Sequence, residues 1–410
     1  MKFVTLGCVL WISLARAQTP PASPWEKALA ERRWADAEPL LKSALEAEPG
    51  STTVLRGLAI VYRATGRVTD ADPLLEKLVT EEETAANVED LASIKLALGQ
   101  LARAEALYRQ SLDLRQQAAE DDLKSIPTRH RLVQVEIALS HFSDAEQQAQ
   151  TAVAIRTRKL GGTHPDLAAD FALLASVYQG EKKFTEAAAT WEWTVGIQET
   201  AFGIDDLRLA ASLDSLAACR RELHQTAKEE AALRRALAIR EVNQGQLNAD
   251  VAQNIDALAR LLFSAKRYTE AEPLYARSLE IWTRLLGPAN SVLAMSYDNL
   301  AVTQAALHQY AGAEQLYLEA MKLRDEDDVS SLRNLALVRI ARENYKDAEP
   351  LFKRALAALD APYNQQAGQL KDLLPDYIDL LRQLGRTAEA ARLEARLKAL
   401  KLPPLRAENR

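Results

Sequence analysis

Residues 250–287 read DVAQNIDALARLLFSAKRYTEAEPLYARSLEIWTRLLG, and the hydrophobic spacing inside them decides the fold. Ile255, Leu258, Ala259 and Leu262 recur at steps of three and four, which places them on one face of a helix. After Lys266, Arg267 and Tyr268 the pattern resumes with Ala271, Leu274, Tyr275, Ser278 and Leu279. The small residues Ala259, Ala271 and Ser278 allow the two backbones to approach closely, with Tyr268 and Tyr275 filling the space around them. A pair of amphipathic helices of this kind cannot bury both stripes alone and needs a second pair beside it.

The rest of the chain supplies such pairs. Tyr268 marks the turn, and equivalent positions are Trp34, Val68, Leu101, Phe142, Phe184, Thr226, Tyr310, Tyr345 and Thr387. From Phe142 to Tyr310 the markers keep one constant period, the 42-residue beat. The steps from Trp34 to Val68, Val68 to Leu101 and Tyr310 to Tyr345 are shorter, and the step from Leu101 to Phe142 falls one short of the beat. Ten residues before the marker stands a leucine from Leu58 to Leu335, and three after it an alanine from Ala37 to Ala390. The sixth unit breaks the second rule with Glu229. These periods predict an all-α chain of about ten helical hairpins.

The order of Leu58-Ala59, Tyr62, Gly66 and Ala71 resembles the tetratricopeptide repeat. The 42-residue form, LGGTHPDLAADFALLASVYQGEKKFTEAAATWEWTV at 160–195, looks like the kinesin light chain subtype found in bacterial proteins. The resemblance implies a right-handed α-α superhelix, a solenoid over residues 24–400, with the 42-residue type from 130 to 323. It also implies a peptide-binding groove and no catalysis. The eight residues added to a 34-residue unit are expected to lengthen each helix by about one turn.

Residues 1–17 read as a secretory signal: Lys2, an apolar run from Phe3 to Leu14, and Ala15-Arg16-Ala17 as a small-x-small cleavage site. The apolar run is too short for a permanent membrane span. The expected location is therefore the periplasm or the cell exterior. Residues 18–23 form a proline-rich lead-in, Ser23-Pro24-Trp25-Glu26 a capping box, and 401–410 a loose tail.

The net charge is −6, and losing Lys2 and Arg16 would lower it by two more. No basic stripe is interleaved with aromatics, so nucleic acid is excluded as a partner. Only Cys219 remains after cleavage, which rules out an intramolecular disulfide and points to a buried apolar role. His164 reads as part of a helix entry, and the other histidines lack metal-ligand spacing. The acidic run from Asp325 to Asp328 suits a helix N-terminus rather than a calcium loop. Trp191, Trp193 and Trp282 on second helices are expected to pack between repeats.

No catalytic motif is present, and no cofactor or metal is implied. The resemblance points instead to the outward face of each first helix. Twelve residues before the marker, three consecutive units place Asp214, Asp256 and Asp298, each one full repeat from the next. Arg221, Arg260, Phe263, Asn299, Arg333 and Asn334 fall on or beside the same face. Two readings follow for the aspartates. They form an acidic ladder for an extended peptide carrying basic or amide groups, with Arg260 and Arg333 orienting it, or they pair with Arg221, Arg260 and Arg333 and only solvate the groove. For the whole chain the expected function is a peptide-binding scaffold. The alternative is an assembly subunit of an envelope complex acting through its convex face or ends.

Overall fold

The computed structural model describes residues 23–324, 328–360 and 367–401. The signal, most of the proline-rich lead-in, Asp325 to Asp327 and all but the first residue of the tail lie outside the described residues. The described residues contain twenty α-helices and no strand. The chain divides into two compact units, 1–162 and 163–410.

In the first unit the helices are α1 (Pro24–Ala30), α2 (Trp34–Ala47), α3 (Thr52–Ala64), α4 (Val68–Glu81), α5 (Ala85–Ala97), α6 (Leu101–Gln117), α7 (Ile126–Ala138) and α8 (Phe142–Leu160). A 3-10 turn, Asp122–Ser125, precedes α7. The second unit holds α9 (Leu167–Gly180), α10 (Phe184–Phe202), α11 (Arg208–Glu222), α12 (Thr226–Gln244), α13 (Ala249–Ser264) and α14 (Tyr268–Leu286). It continues with α15 (Leu293–Ala306), α16 (Tyr310–Lys322), α17 (Val329–Ala341), α18 (Tyr345–Leu359), α19 (Ala367–Gln383) and α20 (Thr387–Lys401). Within each unit every helix packs against the next one in the chain.

Each marker residue is the first residue of a second helix. Two positions earlier stand Arg32, Gly66, Gly99, Ser140, Lys182, His224, Lys266, His308, Glu343 and Gly385, with φ between 55° and 76°. The turn is the same throughout. The N–H of Arg267 donates to the Leu262 carbonyl at 2.9 Å, and that of Asn344 to the Arg339 carbonyl at 2.8 Å. These are the long bonds of a helix end closed by one left-handed residue, which satisfies carbonyls the helix itself leaves free.

The repeated alanine explains the close approach of paired helices. Ala37, Ala71, Ala104, Ala145, Ala187, Ala271, Ala313 and Ala348 are fully buried. Around Tyr268, the predicted stripe of Ile255, Leu258, Ala259 and Leu262 forms one apolar core with Ala271 and Tyr275. Ser23 caps α1 as expected: its hydroxyl accepts from the Glu26 N–H at 3.3 Å, while the Glu26 carboxylate accepts from the Ser23 N–H at 2.5 Å. Asp328 likewise caps α17, accepting from the Ser331 N–H at 2.7 Å.

One expectation is corrected. The longer repeat does not lengthen both helices equally. Second helices grow from 14 residues in α2 and α4 to 19 in α8, α10, α12 and α14. First helices change little, from 13 residues in α3, α5 and α7 to 14 in α9 and 16 in α13. Each long second helix stops at a glycine: Gly161, Gly203, Gly245 or Gly287, with φ between 76° and 94° and ψ between 155° and 172°. That region of backbone space is open only to a residue without Cβ.

Candidate binding face on the first helices

The second unit carries the three aspartates at equivalent places on α11, α13 and α15, and each is tied to its own hairpin. Asp214 accepts from Arg240 at the far end of α12, one contact measuring 3.1 Å, and from the Asn254 amide of the next first helix at 3.3 Å. Asp256 accepts from the indole N–H of Trp282 at 3.0 Å. Asp298 pairs with Arg324 and accepts from the Ser331 hydroxyl at 2.9 Å. The partners Arg240, Trp282 and Arg324 stand at one constant offset along the chain from their aspartates.

Burial pushes the Asp256 carboxyl above its ordinary range, against hydrogen bonds from Ser278 and Trp282 that pull it down. Burial acts on Asp298 in the same way, opposed by Arg324 and Ser331. The first unit uses the same position with the charges exchanged or kept. Arg56 reaches Glu82 at 3.3 Å and Asn87 at 2.9 Å, while Glu89 accepts from Arg115 at 2.7 Å and from Thr128 at 2.8 Å. This position is therefore a tie between the two helices of a hairpin and, in all but one of these five, to the next first helix. Sequence reasoning missed the partners, although the shared offset of Asp214 to Arg240 and of Asp298 to Arg324 was visible in the chain.

The expected arginine partners are not the ones used. Arg221 pairs with Glu229 at 2.8 Å, and Arg333 with Asp376 at 2.6 Å. Arg260 is exposed and makes neither hydrogen bond nor ion pair among the described residues, but its positive charge helps to hold the Asp256 carboxyl down. Phe263, one turn further along α13, is half-buried, with its ring 5.1 Å from that of Tyr268. Asn299 and Asn334 are half-buried on α15 and α17. The structure thus leaves Arg260, Phe263 and Asn299 available on this face, and engages Asn334 with Tyr317 and Arg221, Arg333 and the aspartates with their own partners.

The tryptophans separate. Trp191 is buried and donates to Gln179 at 3.0 Å, and Trp282 packs on the core around Ala259. Trp193 departs from the expectation: it is 67% exposed, because it sits two residues from Trp191 and so on another side of α10. Cys219 is buried as expected, and burial pushes its thiol up to about 11. The His164 ring accepts from the Asp166 N–H at 3.3 Å, a local role at a helix entry.

In the first unit, carboxylate oxygens of Glu105, Glu136 and Asp144 lie within 4.8 Å of one another. Their centre is filled by the protein's own cation. One guanidinium nitrogen of Arg109 lies 3.0 Å from Glu105 and 2.7 Å from both Glu136 and Asp144. The arrangement therefore does not call for a metal ion.

No curated protein matches this chain. Among solved structures, TPR-like repeats from Podosopora anserina described as a kinesin light chain share 22% identity, covering 48% of this chain and 94% of theirs, with a TM-score of 0.44. BtubC (BKLC) from P. vanneervenii shares 21% identity over 56% of this chain and 93% of its own, with a TM-score of 0.45. The C-terminal part of a TPR repeat-containing protein from Cytophaga hutchinsonii shares 12% identity over 76% and 98%, with a TM-score of 0.42. Three family models, each described as tetratricopeptide repeat, match residues 82–158 and 250–326, 28–93, and 331–366. Together they span more than half of a chain whose helices alternate as those repeats require, and this chain belongs to the tetratricopeptide repeat family.

Proposed function

We propose that this chain is a non-enzymatic scaffold holding an extended segment of a protein partner against the first-helix faces of α11, α13, α15 and α17. The observation that carries the reading is Arg260. It is exposed and makes no hydrogen bond or ion pair among the described residues, its charge acting on Asp256 without direct contact, whereas Arg240, Arg267, Arg277 and Arg324 are all ion-paired. It shares its face with half-buried Phe263, and the equivalent places on α15 and α17 hold half-buried Val302 with Ala305 and Leu337 with Ile340. Apolar walls with a few free polar groups suit side chains and amides of an extended peptide. Asn299 offers such an amide contact, and Asn334, bonded to Tyr317, would have to share its amide. Asp214, Asp256 and Asp298 add negative charge that favours a basic or amide-rich segment.

A second reading has its own support. Trp193 and Val242 on second helices are 67% and 77% exposed, and an assembly subunit acting through another surface would bury such groups. A photo-cross-linking residue placed at 302 or at 242 separates the two. The groove reading expects one partner to be captured from position 302 and not from 242; capture from 242 alone transfers the function to the outer surface.

The kinesin light chain-like, exported character belongs to the same proposal. It rests on the 42-residue beat and on residues 1–17. Mass measurement of the N-terminus in the native cell checks the export, with a start at Gln18 expected.

A further inference from the structure

We propose that the cleft framed by α6, the 3-10 turn Asp122–Ser125, α7 and α8 is a carboxylate-binding site built on Arg129, separate from the first-helix faces of the second unit. The cleft is lined by residues from α6 through α8, where the 3-10 turn is inserted between α6 and α7. Its volume is about 840 Å³, within the range of ligand sites in general.

The wall carries four arginines, and three are already neutralised. Arg109 is held by its three carboxylates, Arg115 by Glu89 at 2.7 Å and Glu120 at 2.9 Å, and Arg158 by Asp122. The acidic groups other than Asp113 are spent in the same way, with Asp121 taken by Lys159 at 3.1 Å. Arg129 is the exception. It is half-buried on α7, and its hydrogen bonds go to neutral groups, the Ser125 hydroxyl at 3.4 Å and the Gln148 side-chain oxygen. It has no ion pair among the described residues. Burial lowers the pKa of its guanidinium, against an opposing effect from Asp122, as expected for a cation short of counter-charge.

Ser125 and Gln148 engage Nε and Nη1, which leaves Nη2 of this cleft-lining arginine without a hydrogen bond among the described residues. A guanidinium held in this way presents a planar donor set that matches a carboxylate. Leu112 and Ile155 supply an apolar wall for the carbon chain that carries it. The ligand chemistry is thus a carboxylate on a short aliphatic stem, from an acidic peptide side chain or from a free dicarboxylate.

The test uses the full chain and two probes, a labelled peptide of three consecutive glutamates and free glutarate, with a glutamine peptide as control. The glutamate peptide is expected to bind saturably, more weakly at high salt, and the glutamine peptide not at all. Arg129→Gln keeps the hydrogen-bonding edge and removes the charge, so it should weaken binding about tenfold or more. Gln148→Glu supplies an internal carboxylate and should block the site while leaving helicity intact. Asp113→Asn should bind at least as tightly as the parent, since it removes a negative charge from the cleft wall. Competition by glutarate at similar concentrations identifies a small-molecule source; much better competition by peptide identifies an acidic segment. Equal affinity in Arg129→Gln, or no saturable binding of either probe at millimolar concentration, overturns the proposal. Cross-linking at position 302 is independent of Arg129, so failure here and failure of the groove reading are told apart.

Discussion

The indole N–H of Trp282 donates to Asp256 at 3.0 Å, in the place where Asp214 and Asp298 meet the guanidinium groups of Arg240 and Arg324. The same backbone position is thus closed by an ion pair in two hairpins and by a neutral donor in the hairpin between them. Burial raises the Asp256 carboxyl, and the one positive charge acting on it, that of Arg260, makes no direct ion pair with it. Its dependence on the remaining donors is correspondingly greater.

Trp282→Phe removes the N–H and, because a phenyl ring is smaller than an indole, part of the volume packed against the core. Loss of the N–H should cost about 1–2 kcal/mol at neutral pH, the usual penalty for a buried acceptor that loses a partner. Because the folded-state pKa is raised, the ionised carboxylate is the form under strain, so the loss should shrink as the pH falls and Asp256 protonates. Denaturant midpoints of parent and variant at neutral and acid pH check this. An equal loss at both would mean that the ring, not the hydrogen bond, is what matters.

Glu229 shows how a rule broken in the sequence is repaired in space. It occupies the alanine slot, is buried, and accepts from the Nε of Arg221 at 2.8 Å. Arg221→Ala should leave that carboxylate without its cation and lower stability by about 1–3 kcal/mol, discounted because the arginine is itself half-exposed. Adding Glu229→Ala should restore the parent midpoint, since every other hairpin closes on alanine there. A double variant no better than the single one would contradict this account.

The hairpins were legible because their signal repeats: a leucine ten before the marker and an alanine three after it describe the same contact in unit after unit, and both are buried throughout. The candidate face was legible only as a position. Asp214, Asp256 and Asp298 were visible as a row, but their partners sit at the far end of the following helix, outside the window that helical periodicity compares. Trp193 misled for a related reason. Residue type predicts burial, yet its side of α10 is fixed by Trp191, and two residues along a helix cannot share a face. The left-handed turn was readable only where the chain uses glycine, at Gly66, Gly99 and Gly385; the other seven units hold the same geometry with residues that give no such signal.

Those seven units hold a backbone conformation that costs a residue bearing a Cβ about 1–2 kcal/mol. Lys266 and Glu343 hold φ at 59° with side chains that clash in the left-handed region. Lys266→Gly and Glu343→Gly should each raise stability by about 1 kcal/mol, less a few tenths for the greater freedom of glycine in the unfolded chain. Gly66→Ala should move it in the opposite direction. Thermal unfolding of the three variants checks the sign. A lower midpoint for both glycine variants would show that the side chains stabilise the turn more than their backbone angle costs.

The cluster around Arg109 sets a pH dependence. Glu136 on α7 is fully buried, and burial pushes its carboxyl up to about 7, with Asp144 and Glu105 adding to the shift and Arg109 and His141 opposing it. These groups come from α6, α7 and the start of α8, so the environment is that of three packed helices. The folded chain therefore holds a proton that the unfolded chain releases near 4.5, the unperturbed value. The sign follows: stability contributed by protonated Glu136 is full below about 4.5 and is lost as pH rises through about 7. Glu136→Gln fixes the neutral form and should flatten the slope of stability between pH values of about 5 and 7, whatever its effect on the absolute midpoint. Urea unfolding of the two proteins across that interval is the measurement. Parallel slopes in parent and variant would place the proton elsewhere, and His141, which lies 3.2 Å from Glu105, would be the next group to substitute.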